Sequence, residues 1–378
     1  MGIYIHIPFC FSRCIYCDFF SSTQSEWKDA YVDALCREII ARSPSSGQPS
    51  SVVRTIYVGG GTPSQLTTGQ LERIFQTVYT YYNIEEHAEV TLEVNPNDAT
   101  DSFIDAIRNL PVNRLSFGIQ SFDDQQLRFL RRRHTAVEAI DAVRRSQDAG
   151  FCNISIDLIF GIPVPADSQL AIQTFSSSLQ KAVSLGIQHL SAYSLMYEEG
   201  TPLTRMRDRG EIQELDEETS LSMFELLMDR THEAGFQHYE ISNFCLPQRQ
   251  SRHNAAYWDG TPYLGFGAGA HSFDGQTRSW NIDSVSAYIR GEQGGSEILT
   301  IDNRFDERIM TGLRTAKGVD MQRLRRDFGN ERWQKCMDSA RRHLDSGMLQ
   351  LDERTQQLHL TRAGIFVSDD IMSDLMCV

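Results

Sequence analysis

The chain has 378 residues, and 50 Asp and Glu against 36 Lys and Arg leave a net charge of −14. That acidic balance argues against a nucleic-acid binder unless a basic patch is segregated on one face, and no stretch reaches the roughly 18 consecutive apolar residues that a membrane span needs. Gly2 leads straight into a strand pattern and the eight cysteines show no pairing pattern, so the expectation is a cytoplasmic protein with reduced thiols, without signal peptide or disulfide framework.

Residues 3–7 alternate Ile3, Ile5 and Ile7 with Tyr4 and His6, which predicts a first strand, and Cys10, Cys14 and Cys17 follow directly in a C-x3-C-x2-C spacing. Trp27, Tyr31, Leu35 and Ile39 fall at four-residue steps and predict an amphipathic helix over 27–42, broken by a Ser, Pro and Gly linker at 43–51. The strand, loop and helix order then recurs. Strands are expected at 55–58, 89–94, 113–120, 152–160 and 188–195, with helices from about 68, near 101–109, from the capping box Thr135 and Glu138 to Gly150, and over 168–186. Alternation of this length implies parallel strands with helices outside.

Residues two apart share a strand face, so Val90, Leu92 and Val94 oppose Thr91 and Glu93; Leu115, Phe117 and Ile119 oppose Ser116, Gly118 and Gln120; and Ile154, Ile156 and Leu158 oppose Ser155 and Asp157. One face is oily and the other polar. A closed eight-stranded barrel packs its interior with Val, Ile and Leu, so a polar inner face implies a cavity for something hydrophilic. Beyond residue 200 a helix is expected over 216–235, a strand at 237–241, a linker near 291–296, helices near 304–316, 320–328 and 331–346, a hairpin over 348–360 and a last short helix. The divisions expected are 1–235, 236–296 and 297–378, the last with the three helices and hairpin of a winged-helix module.

Three thiolates on one loop want a soft metal centre. Zinc would need a fourth ligand, for which His6 is available, whereas a four-iron cluster held by three cysteines would keep one iron without a protein ligand. Gly59, Gly60, Gly61, Thr62 and Pro63 lie between a strand and a helix, where backbone groups can meet a ligand. Glu93, Gln120 and Asp157 stand at or near the ends of successive strands, where (β/α) barrels place their sites. His253, Tyr257 and Trp258 sit in an H-N-x-x-Y-W segment that offers an imidazole and flat apolar surface; packing is the alternative reading.

The three-cysteine motif resembles that of the radical S-adenosylmethionine superfamily, and the surrounding I-H-I-P-F-C and C-D-F are similar to the oxygen-independent coproporphyrinogen oxidase family. The resemblance implies an incomplete (β/α)6 barrel and a C-terminal winged-helix-like domain. It implies a [4Fe-4S] cluster on Cys10, Cys14 and Cys17, and S-adenosylmethionine contacts at Tyr4, Tyr16, Gly60, Gly61, Thr62, Glu93, Gln120, Arg132 and Asp157, with Arg131 and Arg133 as neighbours able to exchange roles with Arg132. The oxidases carry a further cysteine two positions after the third, where this chain has Phe19, and they have a longer segment before the first strand. Both differences point to the sister branch of HemW-type haem chaperones, which has the H-N-x-x-Y-W motif. That branch implies haem binding through His253, Tyr257 and Trp258, an acceptor protein of which membrane respiratory enzymes are the family's examples, a reductant for the cluster, and no nucleic acid. Oxygen-independent coproporphyrinogen oxidation is the alternative.

Overall fold

The computed structural model describes residues 1–44 and 51–377; most of the linker expected at 43–51 lies outside them. Six strands, β1 (Gly2–Ile7), β2 (Val53–Gly60), β3 (Ile84–Val94), β4 (Arg114–Gln120), β5 (Ile154–Phe160) and β6 (His189–Ser194), pair side by side in chain order and all in parallel. The crossovers carry α1 (Lys28–Ala41), α2 (Thr68–Tyr81), α3 (Asp101–Ile107), α4 (Asp124–Phe129), α5 (Ala136–Asp148) and α6 (Ser168–Ser184). Their apolar stripes, such as Tyr31, Leu35 and Ile39 on α1 and Leu71, Ile74 and Val78 on α2, join Ile3, Ile5, Val58, Leu92, Phe117 and Ile156 in one core between sheet and helices. Full burial of each such side chain stabilises the fold by about 1.5 to 3 kcal/mol. The oily strand face is thus spent on the helices, and the polar face turns into the barrel. Helix starts follow capping chemistry: Thr135 accepts from Glu138 N–H while the Glu138 carboxylate accepts from Thr135 N–H, the reciprocal pair read from the sequence.

The sheet is larger than six units. After α7 (Pro202–Asp208) and α8 (Glu217–Glu233), β7 (Gln237–Glu240) and β8 (Asn243–Cys245) extend it antiparallel beyond β6. Helix α9 (Arg252–Trp258) then leads into β9 (Tyr263–Phe266), which pairs parallel with β1 on the opposite side. Strands β10 (His271–Phe273) and β11 (Thr277–Trp280) follow, then α10 (Val285–Ile289) and the edge strand β12 (Gly295–Ile298), completing twelve strands among the described residues. Residues 295 and 296, expected in a linker, therefore belong to a strand. Gly265 permits the β9–β10 approach, since a Cβ there would meet the His271 carbonyl oxygen at 2.0 Å.

The C-terminal part packs α11 (Ile301–Leu313), α12 (Met321–Phe328) and α13 (Asn330–Asp345) with β13 (Val319–Asp320), β14 (Leu349–Asp352) and β15 (Gln357–Leu360), followed by α14 (Arg362–Ile365) and α15 (Ser368–Leu375). It has its own core around Phe305, Ile309, Leu324, Ala340 and Ile371. Its backbone also reaches the large sheet: Ile241 N–H donates to Arg314 O at 3.0 Å and Ala316 N–H to Tyr239 O at 3.1 Å, flanking an antiparallel bridge between Glu240 and Thr315. No described helix is long and apolar enough to cross a membrane.

Candidate functional site

A cavity of about 460 Å3 opens at the C-terminal ends of β1 to β6, and its wall includes Cys10, Cys14 and Cys17 together with Tyr4, Tyr16, Gly60, Gly61, Thr62, Glu93, Gln120, Arg132 and Asp157. The cysteines ride on the loop after β1, pinned where Cys10 N–H donates to Ser22 O (2.9 Å) and Ser22 N–H to Pro8 O (2.6 Å). Burial pushes the Cys10 thiol up and the Cys17 thiol up to about 11, so a metal must displace their protons to bind. Donors already face two of the sulfurs: the Thr62 hydroxyl stands 3.6 Å from Cys10 Sγ and Arg132 Nη1 3.3 Å from Cys14 Sγ. Thiolate ligands need such partners. His6 is spoken for, with Nδ1 on the Tyr4 hydroxyl at 2.9 Å, Nε2 on Phe20 O at 3.1 Å and its ring stacked on Phe20. The zinc alternative thereby loses its fourth ligand. Among the described residues no three His, Cys, Asp or Glu side chains converge as they would on a single ion. The three cysteines line one cavity, and held by three thiolates a four-iron cluster would keep one iron without a protein ligand.

The glycine run is dictated by what surrounds it. Gly60 has φ +114° and its N–H donates to Glu93 Oε2 at 3.0 Å, while a Cβ at Gly61 would come within 2.8 Å of the Pro8 carbonyl carbon. Side chains here would drive the glycine turn away from the cysteine loop. Glu93 also accepts from the Tyr57 hydroxyl at 2.7 Å; burial nevertheless raises its carboxyl to about 7, with Asp157 adding to the rise. Burial likewise raises Asp157 to about 6, against the hydroxyls of Ser191 and Ser116 and the charges of Arg114 and Arg132. Two carboxylates held this far from their ordinary range stand ready for a cationic or hydroxyl-bearing ligand.

Gln120 ends β4 at φ +75°, beside a register shift against β5, and its amide comes into the cavity over Gly118, where a Cβ would meet Gln120 Nε2 at 3.0 Å. Backbone strain of this kind collects at binding sites. Of the three neighbouring arginines, Arg132 turns inward, donating to Gly118 O and Cys14 Sγ. Arg131 takes φ +58°, and Arg133 lies 4.2 Å over the Phe11 ring and pairs with Asp98 at 3.4 Å.

The H-N-x-x-Y-W segment meets this cavity through Asn254, which forms part of its lining, while the rest of the segment turns away. It forms α9 below the barrel, with the Glu89 carboxylate accepting from both Arg252 N–H and His253 N–H at 3.0 Å. His253 is 2% exposed; its Nδ1 meets the Thr55 hydroxyl and its Nε2 the Tyr257 hydroxyl, each at 2.9 Å, and burial drops its pKa to about 3. As placed, both of its ring nitrogens are hydrogen-bonded, so ligation of iron would require the Thr55 or the Tyr257 bond to be given up. Tyr257 spends its hydroxyl on this bond. Trp258 lines a separate cleft of about 430 Å3 against the C-terminal part, with the Arg314 guanidinium 4.8 Å from its ring.

Sequence reading missed Tyr57, Ser191 and Arg114 inside the cavity and Phe11, Tyr193 and Met196 at its mouth. The alternation that exposed Glu93 also puts Tyr57, Arg114, Ser191 and Tyr193 on the inner face; only Phe11 and Met196, on loops, carry no such signal.

Comparison with known proteins agrees with this geometry. The sequence profile of the Radical SAM superfamily matches residues 4–172 and that of the HemN C-terminal domain residues 299–367. The chain is 32% identical to the heme chaperone HemW of Lactococcus lactis, covering 99% of this chain and 96% of the relative, and 35% identical to that of Bacillus subtilis, covering 86% of each. HemW of Mycobacterium tuberculosis is 34% identical over 99% of this chain and 94% of its own. Among solved structures, the coproporphyrinogen III oxidase HemN of Escherichia coli, a radical SAM enzyme, superposes with a TM-score of 0.84 at 21% identity, covering 100% of this chain and 90% of that one, a likeness of fold. The three thiols, the glycine turn and the inward carboxylates thus stand in a chain that belongs to the HemW family of the radical S-adenosylmethionine superfamily, a superfamily defined by a [4Fe-4S] cluster and S-adenosylmethionine.

Proposed function

We propose that this protein binds haem at the mouth of the barrel and hands it to an acceptor protein, while the barrel wall holds S-adenosylmethionine beside a cluster on Cys10, Cys14 and Cys17. The observation that carries this reading is the rim. Phe11, Phe19, Met196 and Tyr193 are 68%, 69%, 64% and 42% exposed, yet all line one opening that also includes Arg131 and Arg133. S-adenosylmethionine is polar and the inner wall suits it. Large apolar side chains gathered around a single mouth suit a flat apolar ring system, and the arginines suit its propionates. Phe19, standing where the resembled oxidases have cysteine, contributes apolar surface in place of a thiol. The name heme chaperone borne by the bacterial relatives supports the same ligand.

Tyr4, Tyr16, Gly60, Gly61, Thr62, Glu93, Gln120, Arg132 and Asp157 are proposed to contact S-adenosylmethionine, Arg132 and the glycine turn at its carboxylate end and Glu93 and Asp157 at its ammonium and ribose hydroxyls. The cluster, when bound, supplies an iron open to that ligand. Met196 would offer its exposed thioether to haem iron, a role that methionine thioethers fill. His253 and Tyr257 brace the barrel floor, and Trp258 joins that floor to the C-terminal part. Acceptor proteins, including enzymes at a membrane surface, would meet the haem at the open mouth, and an external reductant would serve the cluster. Coproporphyrinogen is not expected to be decarboxylated.

The test is haem titration of anaerobically reconstituted protein, followed by its Soret band. Met196→Ala is expected to shift the band and Phe11→Ala to weaken uptake about tenfold, the scale of one lost apolar contact of about 1.4 kcal/mol. His253→Ala, its fold checked by circular dichroism, should still take up one equivalent. Loss of haem in His253→Ala with an unchanged fold, and indifference to Met196→Ala, would return the iron ligand to the H-N-x-x-Y-W segment.

A further inference from the structure

Arg114 opens β4 and points inward with Ser116 and Gly118, at 1% exposure the bulkiest fully buried side chain described. It lines the same cavity as Glu93 and Asp157. Its Nε and Nη1 are buried and meet no acceptor, and among the described residues it makes no ion pair. The hydroxyl of Thr91, its register partner on β3, is buried and unpartnered too. An isolated buried cation costs several kcal/mol, so its charge must be offset without contact. The buried carboxylates nearest it in register are Glu93 and Asp157, which lie above it toward the mouth opposite Ser116 and Gly118, and Glu89, below it on β3, whose oxygens accept from Arg252 and His253 N–H.

We infer that Arg114 is a positioning residue of the barrel, a buried cation that keeps Glu93 and Asp157 ionised through space and leaves their oxygens free for the ligand. Direct ion pairs would supply the same charge but would occupy the acceptors. Of the other neighbours only Arg132 also adds positive charge, and it acts on Asp157. Tyr4, Tyr57, Tyr193 and Tyr239 are held protonated by burial, and His189 and His253 are held neutral by burial and by Arg114 itself. The Cys245 thiol is pushed up to about 11, Glu240 is engaged by Asn243 and Arg314, Glu89 by the Arg252 and His253 N–H groups, and Arg132 is hydrogen-bonded to Cys14 and Gly118 nearer the cysteine loop. Glu93 and Asp157 then present negative charge to a sulfonium with its ammonium, while Arg132 stays beside Cys14. This ligand assignment rests on the function proposed above; the charge relation does not.

The carboxylates are titrated by infrared difference spectroscopy in cluster-free protein without added ligand, with Glu93→Gln and Asp157→Asn spectra identifying the two bands. Arg114→Gln is expected to move both titrations upward by about one pH unit or more, and Arg114→Lys to leave them near the wild-type values at neutral pH. In reconstituted protein, Arg114→Gln should bind S-adenosylmethionine about tenfold more weakly at pH 7 and recover toward wild type by pH 9, a profile that loss of packing would not produce. Unmoved titrations in Arg114→Gln overturn the inference. If that variant does not fold, wild-type bands decide: both carboxyls protonated at pH 8 with Arg114 in place overturn it, and both ionised support it. Wild-type protein that titrates as expected but binds no S-adenosylmethionine removes the ligand assignment and sustains the electrostatic one.

Discussion

Glu93→Gln is expected to stabilise the protein at alkaline pH while weakening its grip on ligand. The carboxyl is buried, and burial raises it from 4.5 to about 7 although Tyr57 and Gly60 both donate to it. An acid with a raised folded pKa binds its proton more tightly in the native state, so stability falls as pH rises from 4.5 to about 7, with the loss complete above that range and absent well below it. A gap of roughly 2.5 pH units at about 1.4 kcal/mol each amounts to about 3 kcal/mol at pH 8.5 and about 1 kcal/mol at pH 5. Glutamine stays neutral and escapes this penalty. It accepts through one oxygen, however, so one of the two hydrogen bonds is lost, about 1 kcal/mol. The variant should therefore be about 2 kcal/mol more stable than wild type at pH 8.5 and about equal to it at pH 5. Urea unfolding of cluster-free protein at the two pH values measures the difference. A gap between variant and wild type that is the same at both, or a variant weaker at pH 8.5, refutes the reasoning.

Cys14→Ala should abolish the brown colour and visible absorption that anaerobic iron and sulfide give the wild-type protein; stoichiometric zinc uptake with no iron would overturn the cluster assignment. Gly61→Ala, whose Cβ would press on the Pro8 carbonyl, should keep the fold and lose at least tenfold in S-adenosylmethionine affinity by calorimetry, on the scale of about 1 to 3 kcal/mol for overpacking; wild-type affinity would show that the turn can relax freely. His253→Ala should cost about 2 to 4 kcal/mol in urea unfolding, because it leaves a void and orphans the hydroxyls of Thr55 and Tyr257; a change under about 0.5 kcal/mol would deny it the bracing role.

The parts of this architecture legible in the sequence are those encoded by local period and cap chemistry. Ile3, Ile5 and Ile7 against Tyr4 and His6 announce a strand with two unlike faces, and the same alternation at Glu93, Gln120 and Asp157 shows which residues enter the barrel. Helices α4 and α7, of six and seven residues, are too short to display a period, and the strands from β9 to β12 hold only three or four residues each. What escaped entirely was partnership across distance. Nothing adjacent to His253 reveals that Thr55, 198 positions earlier, takes one of its nitrogens. Nor does the sequence around Arg114 distinguish a solvated strand terminus from a cation sealed without a partner.

The bridge from Glu240 to Thr315, with its two flanking backbone bonds, covers one edge of the large sheet. Strand β7 is the outermost member of its side of the sheet, and a bare outermost strand is a template on which another chain can lay itself down. Here residues 314–316 occupy that template, so the C-terminal part works as a built-in stopper whatever else it binds. Removing everything after residue 298 would keep the fully buried residues of the large core, though it would strip Phe366 from Phe224, and would bare the donors and acceptors of Tyr239 and Ile241. Such a truncated barrel should stack through that edge into oligomers, which size-exclusion chromatography beside the full chain would reveal.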